Sequence, residues 1–172
     1  MRKITIQQKG ITDIHADAIV NAANSGLWAG GGVCGAIFRR AGFEELTAAC
    51  NAIGHCDEGS AVITPGFGCD CKYIIHAVGP RFLDGQHGEP EALYGAYKSA
   101  LELCVQNNIH SIVFPLISAG IFGYPLREAW EQAAAACKDF LSANADYELD
   151  IIFAIPESEK VRVGNEILSK KL

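Results

Sequence analysis

Lysine is missing from both glycine-rich stretches of this 172-residue chain, Val20 to Gly42 and Ser118 to Tyr124, and no glycine run ends in Gly-Lys-Ser/Thr. A nucleotide-hydrolysing P-loop is thereby disfavoured. Basic residues are also few: 14 Lys and Arg stand against 20 Asp and Glu, for a net charge of −6 and a pI near 5.3. That balance argues against a broad nucleic-acid surface, so no nucleic-acid partner is expected, but it leaves room for a nucleotide held by backbone groups. No apolar run approaches the ~20 residues of a membrane-spanning helix, so no membrane association is expected. The N-terminus has no basic segment followed by an apolar core, and no signal peptide is read there. Seven cysteines are scattered, with one tight pair, Cys69-Asp70-Cys71, whose single intervening residue misses the Cys-x₂₋₄-Cys spacing of zinc sites. Neither a metal nor a cofactor is expected. Free thiols and the absent leader suit the cytoplasm.

With no linker, repeat or low-complexity tract, residues 1–172 read as a single domain. A chain of this length buries roughly 70% of its extended surface, and 49% hydrophobic with 20% charged residues is ordinary for a globular protein. Strand patterns fall at Arg2 to Gln8, Asp17 to Val20 running into Asn21, Ser60 to Thr64, Lys72 to Val78, Ser111 to Phe114 and Leu149 to Ile155. Helices are expected from about Val33 to Ala41, with Gly42 as the stop, and from Glu44 to Ala52. A long helix opens at Pro90 as its first residue and carries Leu93, Tyr97, Leu101 and Cys104 on one face. Another opens at Pro125 with the stripe Trp130, Ala133, Ala134, Cys137, Phe140 and Leu141, and the last runs from Glu157 to the C-terminus. Strands alternating with helices give an α/β layered domain whose mostly parallel sheet is covered on both faces.

Ligands in such sheets sit beyond the carboxyl ends of the strands. Both glycine loops follow a strand and precede a helix, so they should share that end. Glycines before a helix let the backbone approach a ligand and aim free N–H groups at an anion. The first loop alone reads either as a phosphate cradle or as a flexible turn. A Rossmann site is weak, because the Gly30, Gly32 and Gly35 spacing lacks a convincing acidic residue about 20 positions on. Two amide-lined loops without lysine suit a diphosphate held by neutral donors and no metal. Asn21, at the strand end, is expected to bond local backbone; Asn24, nearer the glycines, is expected to meet the ligand's hydroxyls. His76, inside an apolar strand, reads as a core histidine.

The blocks Val20-Asn-Ala-Ala-Asn24, Gly30-Gly-Gly-Val33, Tyr73-Ile-Ile-His-Ala-Val-Gly-Pro80 and Phe114-Pro-Leu-Ile-Ser-Ala-Gly-Ile-Phe-Gly-Tyr-Pro125 together resemble the macrodomain family, in the same order and over nearly the whole chain. The resemblance is closest to the branch of ADP-ribosyl hydrolases, also known as O-acetyl-ADP-ribose deacetylases. It implies a three-layer α/β/α macrodomain with a central mixed, mostly parallel sheet and ADP-ribose, free or on an ADP-ribosylated protein, across its crest. It implies that Asn24 contacts the distal ribose, that Gly31, Gly32 and Val33 line that ribose and the diphosphate, and that Ser118, Ala119, Gly120, Ile121 and Phe122 wrap the diphosphate. Phe122 would also pack on the distal ribose, and Ile11 would sit by the adenine. Two positions depart from the family pattern. Cys34 stands where many hydrolases of this branch have the aspartate that activates or orients water, and Gly10 stands where the family commonly has an aspartate for the adenine amino group, with Asp13 three residues on. Ile155 and Pro156 occupy the region that often supplies an adenine-stacking aromatic. Three readings follow: a hydrolase of ADP-ribose esters using Asn24 and positioned water, a reader that binds without cleaving, or a hydrolase with Cys34 as a thiolate at a helix start.

Overall fold

The stretches that read as unbroken apolar runs form the middle of the sheet. A computed structural model describes residues 3–170, and its six strands are β1 (Lys3–Gln7), β2 (Ala18–Ala23), β3 (Ala61–Pro65), β4 (Tyr73–Val78), β5 (Ser111–Phe114) and β6 (Asp150–Ala154). They lie in the order β1-β6-β5-β2-β4-β3. Every pairing is parallel except β3 with β4. The central strands β2, β4 and β5 are buried almost throughout, as parallel strands covered on both faces must be.

Alternate residues of each strand point to opposite faces, and the core divides accordingly. Ala18, Val20, Ile75, Ala77, Ile112, Phe114, Ile151 and Phe153 pack with α3 (Glu89–Gln106), α4 (Leu126–Ala143) and α5 (Ser158–Ser169). Ile19, Ile74, Val113 and Ala154 pack on the other face with α1 (Gly32–Ala41) and α2 (Phe43–Ile53). The result is the three-layer α/β/α arrangement that the alternation of elements implied.

Element boundaries moved by a residue or two. β2 runs on to Ala23, two residues beyond Asn21, because Ala22 and Ala23 keep pairing with Ala77 and Val78 of β4. Pro65 closes β3 instead of stopping it, which an edge strand tolerates because one side of its backbone has no partner strand. Pro90 is the second residue of α3, after Glu89, with Gly88 as the cap. A short 3₁₀ turn, Ile11–Asp13, went unread because three residues carry no periodicity. Arg2 of the expected first strand and residues 171 and 172 of the expected last helix lie outside the described residues.

His76 is fully buried on β4, directly across from Asn21 of β2. Its Nε2–H donates to Thr64 Oγ1 (3.0 Å), and the Thr64 hydroxyl donates on to the Pro65 carbonyl (3.2 Å). That assignment leaves Nδ1 as an acceptor for the Asn21 amide (3.0 Å). Burial alone pushes the imidazole down to about 4, so it is neutral in the fold.

Candidate ligand cleft

The strand-to-helix crossings put the loops after β2, β4, β5 and β6 at one end of the sheet, and a cavity of about 760 Å³ opens there. Small-molecule sites fall in the range of about 300–1,000 Å³. Both glycine loops line it. On the β2 side stand Asn24, Gly30, Gly31, Gly32, Val33 and Cys34; on the β5 side stand Ser118, Gly120, Ile121 and Phe122.

Donors dominate these walls. Helix α1 starts without a side-chain cap, with Gly31 extended and Gly32 in the left-handed region at φ +56, where glycine fits without strain. Among the described residues, no backbone acceptor takes the N–H of Gly31, Gly32 or Val33, nor that of Gly120, Ile121 or Phe122. Uncapped N–H groups at a helix start carry a partial positive charge and favour an anion. The second loop is held by its own bonds: Gly123 N–H to Gly120 O (3.0 Å), Tyr124 N–H to Ser118 O (2.9 Å) and Ser118 Oγ–H to Pro80 O (2.8 Å). The Ser118 hydroxyl therefore braces the loop, and Ser118 itself takes a left-handed φ of +67.

Asn24 lines the cavity, but its amide braces its own loop: Nδ2 donates to Trp28 O (2.9 Å) and Oδ1 accepts from Trp28 N–H (3.2 Å). Asn21 departs from the local bond expected of it, since its partner is the His76 ring on the neighbouring strand. Register sets Asn21's partner, and the turn sets the bonds by which Asn24 braces its loop while still lining the cavity. Cys34 is buried at 6% exposure, and its Sγ has two backbone partners, accepting from Gly30 N–H (3.4 Å) and donating to Trp28 O (3.8 Å). Ile11, the first residue of the 3₁₀ turn, is buried and Ala119 packs toward the core, and neither lines the cavity. Asp13 folds back over Gly10, where a Cβ would stand 2.9 Å from its Oδ2.

Several lining residues were not singled out from sequence: Trp28, Glu58, Arg81, Glu157 and Lys160. Trp28 is 64% exposed, an unusual state for so large an apolar residue. The Arg81 guanidinium lies 4.8 Å from the Phe122 ring centroid and links the loop after β4 to the loop after β5. Arg81 is carried on a loop organised by Glu89, whose carboxylate accepts the N–H groups of Leu83, Asp84, Gly85 and His87. Burial opposes ionisation of Glu89, but those backbone donors outweigh it and hold the carboxyl well below the usual carboxylate range.

A layered α/β/α domain with a donor-walled, phosphate-suited cleft at the carboxyl ends of its parallel strands is the class that fold and site define. Comparison with known proteins makes it specific. The Macro domain family model matches residues 20–133. An O-acetyl-ADP-ribose deacetylase of Escherichia fergusonii is 41% identical over 173 residues, covering 98% of this chain and 97% of the relative. The Oceanobacillus iheyensis macrodomain solved with ADP superposes with a TM-score of 0.89 at 34% identity, covering 95% of this chain and 88% of that one. The Trypanosoma brucei macrodomain in complex with ADP-ribose gives a TM-score of 0.89 at 32% identity, covering 96% and 69%. This chain belongs to the macrodomain family.

Proposed function

We propose that this chain binds ADP-ribose in the cleft and hydrolyses the ester joining ADP-ribose to an acyl group, either a protein carboxylate or acetate. The observation that carries the reading is the convergence of two lysine-free loops, both with unclaimed backbone N–H groups, on one cavity of nucleotide size. The relatives named above support it. In this reading the diphosphate lies between the start of α1 and the Ser118 to Phe122 loop, Asn24 and Val33 border the distal ribose, and Phe122 packs against it. Asn24 Oδ1 keeps a second lone pair for a ribose hydroxyl while it braces Trp28. Ile155 and Pro156 offer an apolar wall for the base at the other end. Fixing the ester against a positioned water supplies orientation, a large part of the barrier in such reactions. The natural partner is then an ADP-ribosylated protein, and the seven free thiols suit a cytoplasmic setting.

One observation favours a reader that binds without cleaving: position 34 holds a thiol bonded only to backbone in place of an acid. Turnover separates the two. The hydrolase reading expects release of ADP-ribose from a glutamate-modified protein and of acetate from O-acetyl-ADP-ribose above the uncatalysed rate. Binding of ADP-ribose with no turnover of either substrate would leave the reader. Cys34→Ala is expected to keep turnover, and its loss would point instead to a thiolate nucleophile.

A further inference from the structure

With a thiol at position 34, the ribose end of the cleft needs its acid-base group from elsewhere. Two carboxylates line the cavity, Glu58 and Glu157. They stand at opposite ends. Glu157 follows β6, whereas Glu58 sits beside β4, since the Gly59 N–H bonds Val78 O at the end of that strand (2.8 Å). In the order β6-β5-β2-β4 those strands are three steps apart, about 14 Å at ~4.8 Å per step. Glu58 is therefore the cavity's carboxylate on the Asn24 side.

We propose that Glu58 is the general base of the hydrolysis, standing in for the acid that position 34 lacks; the proposal rests on the hydrolase reading above. Its backbone is held fast although its side chain is free. The Cys56 N–H bonds Ser25 O (2.9 Å), which ties the Glu58 turn to the residue after Asn24. On the other side Gly59 is clamped between Val78 and Ser99, whose hydroxyl donates to Gly59 O (3.1 Å). The neighbouring Asp57 is engaged by His55 (2.7 Å) and does not line the cavity. Glu58 has no hydrogen-bond or ion-pair partner among the described residues, which leaves both oxygens for water. In the reaction the Glu58 carboxylate takes a proton from water as the water oxygen bonds to the acyl carbon. The ester C–O bond then breaks and the ribose oxygen takes the proton back from Glu58. An ester and a water become an acid and an alcohol, and Glu58 is restored.

The test is steady-state hydrolysis of O-acetyl-ADP-ribose by the parent and by Glu58→Gln, each also titrated with ADP-ribose. Loss of a general base lowers kcat by about 10²–10⁴-fold. The expected result is a fall of that size with KM and ADP-ribose affinity within about threefold of the parent, and loss of the acidic limb from the kcat/KM pH profile. A Glu58→Gln protein with parental kcat, or one whose loss lies in affinity, overturns the assignment and leaves the hydrolase reading standing. A parent that binds ADP-ribose and turns over nothing overturns the hydrolase reading itself, and Glu58 with it.

Discussion

Gly79 shows how a single missing side chain holds the two halves of the cleft together. It follows β4, and a Cβ there would fall inside the contact distance of Ser118 Oγ and Ile117 Cγ2. The Ser118 hydroxyl is the brace that sets the second glycine loop, through its hydrogen bond to Pro80 O. Gly79→Ala must push the loop out of place, and forcing a methyl into a packed site costs about 1–3 kcal/mol. The expected outcome is a lower melting temperature together with at least about tenfold weaker ADP-ribose binding, measured by calorimetry, since loop N–H groups displaced by an ångström lose their hydrogen bonds. Parental affinity would mean that the second loop does not hold the diphosphate. Sequence could mark the glycine but not what crowds it, because Ile117 and Ser118 lie on a different strand's loop. Glu58 escaped notice for the same reason: the Cys56 to Ser25 bond that ties its turn to the Asn24 loop joins residues far apart in sequence.

Between elements, the β2–β4 register decides the chemistry of the interior. It sets Asn21 opposite His76 and gives the ring an acceptor position at Nδ1 and a donor position at Nε2. The folded imidazole titrates near 4 against an ordinary 6.5. The unfolded chain therefore takes up a proton at a higher pH than the fold does. The stability this contributes is complete above pH 6.5 and is lost as the pH falls toward 4, to an extent of about 3 kcal/mol. Urea unfolding should show that loss in the parent, while His76→Gln, less stable at neutral pH, should lose much less over the same interval. An equal decline in both would place the acid sensitivity elsewhere. Sequence marked His76 as a core residue from its apolar neighbours. It could not give Asn21's partner, because pairing between β2 and β4 is a long-range choice that no local pattern carries. Strand limits were legible to within a few residues for a related reason: β2 is extended by what it pairs with at Ala22 and Ala23, not by its own composition.

Across the whole molecule, the alternation of strands and helices was enough to give the layered class, and two loops of the same strand–glycine–helix form were enough to predict a shared end. The strand order was not legible, since the central strands are apolar on both faces but for Asn21 and His76, and it is this order that decides which loops meet. Placing β5 beside β2 brings Gly31 and Gly120 to one cavity, and placing β4 on the other side of β2 brings in Arg81 and Glu58. Ile11 and Ala119, expected at the ligand, pack against the core clusters and do not line the cavity. The central claim is that these loops form one ADP-ribose cleft. Isothermal titration of the protein with ADP-ribose tests it most directly: the account predicts saturable binding at one site per chain with micromolar affinity, and an absence of saturable heat would contradict it.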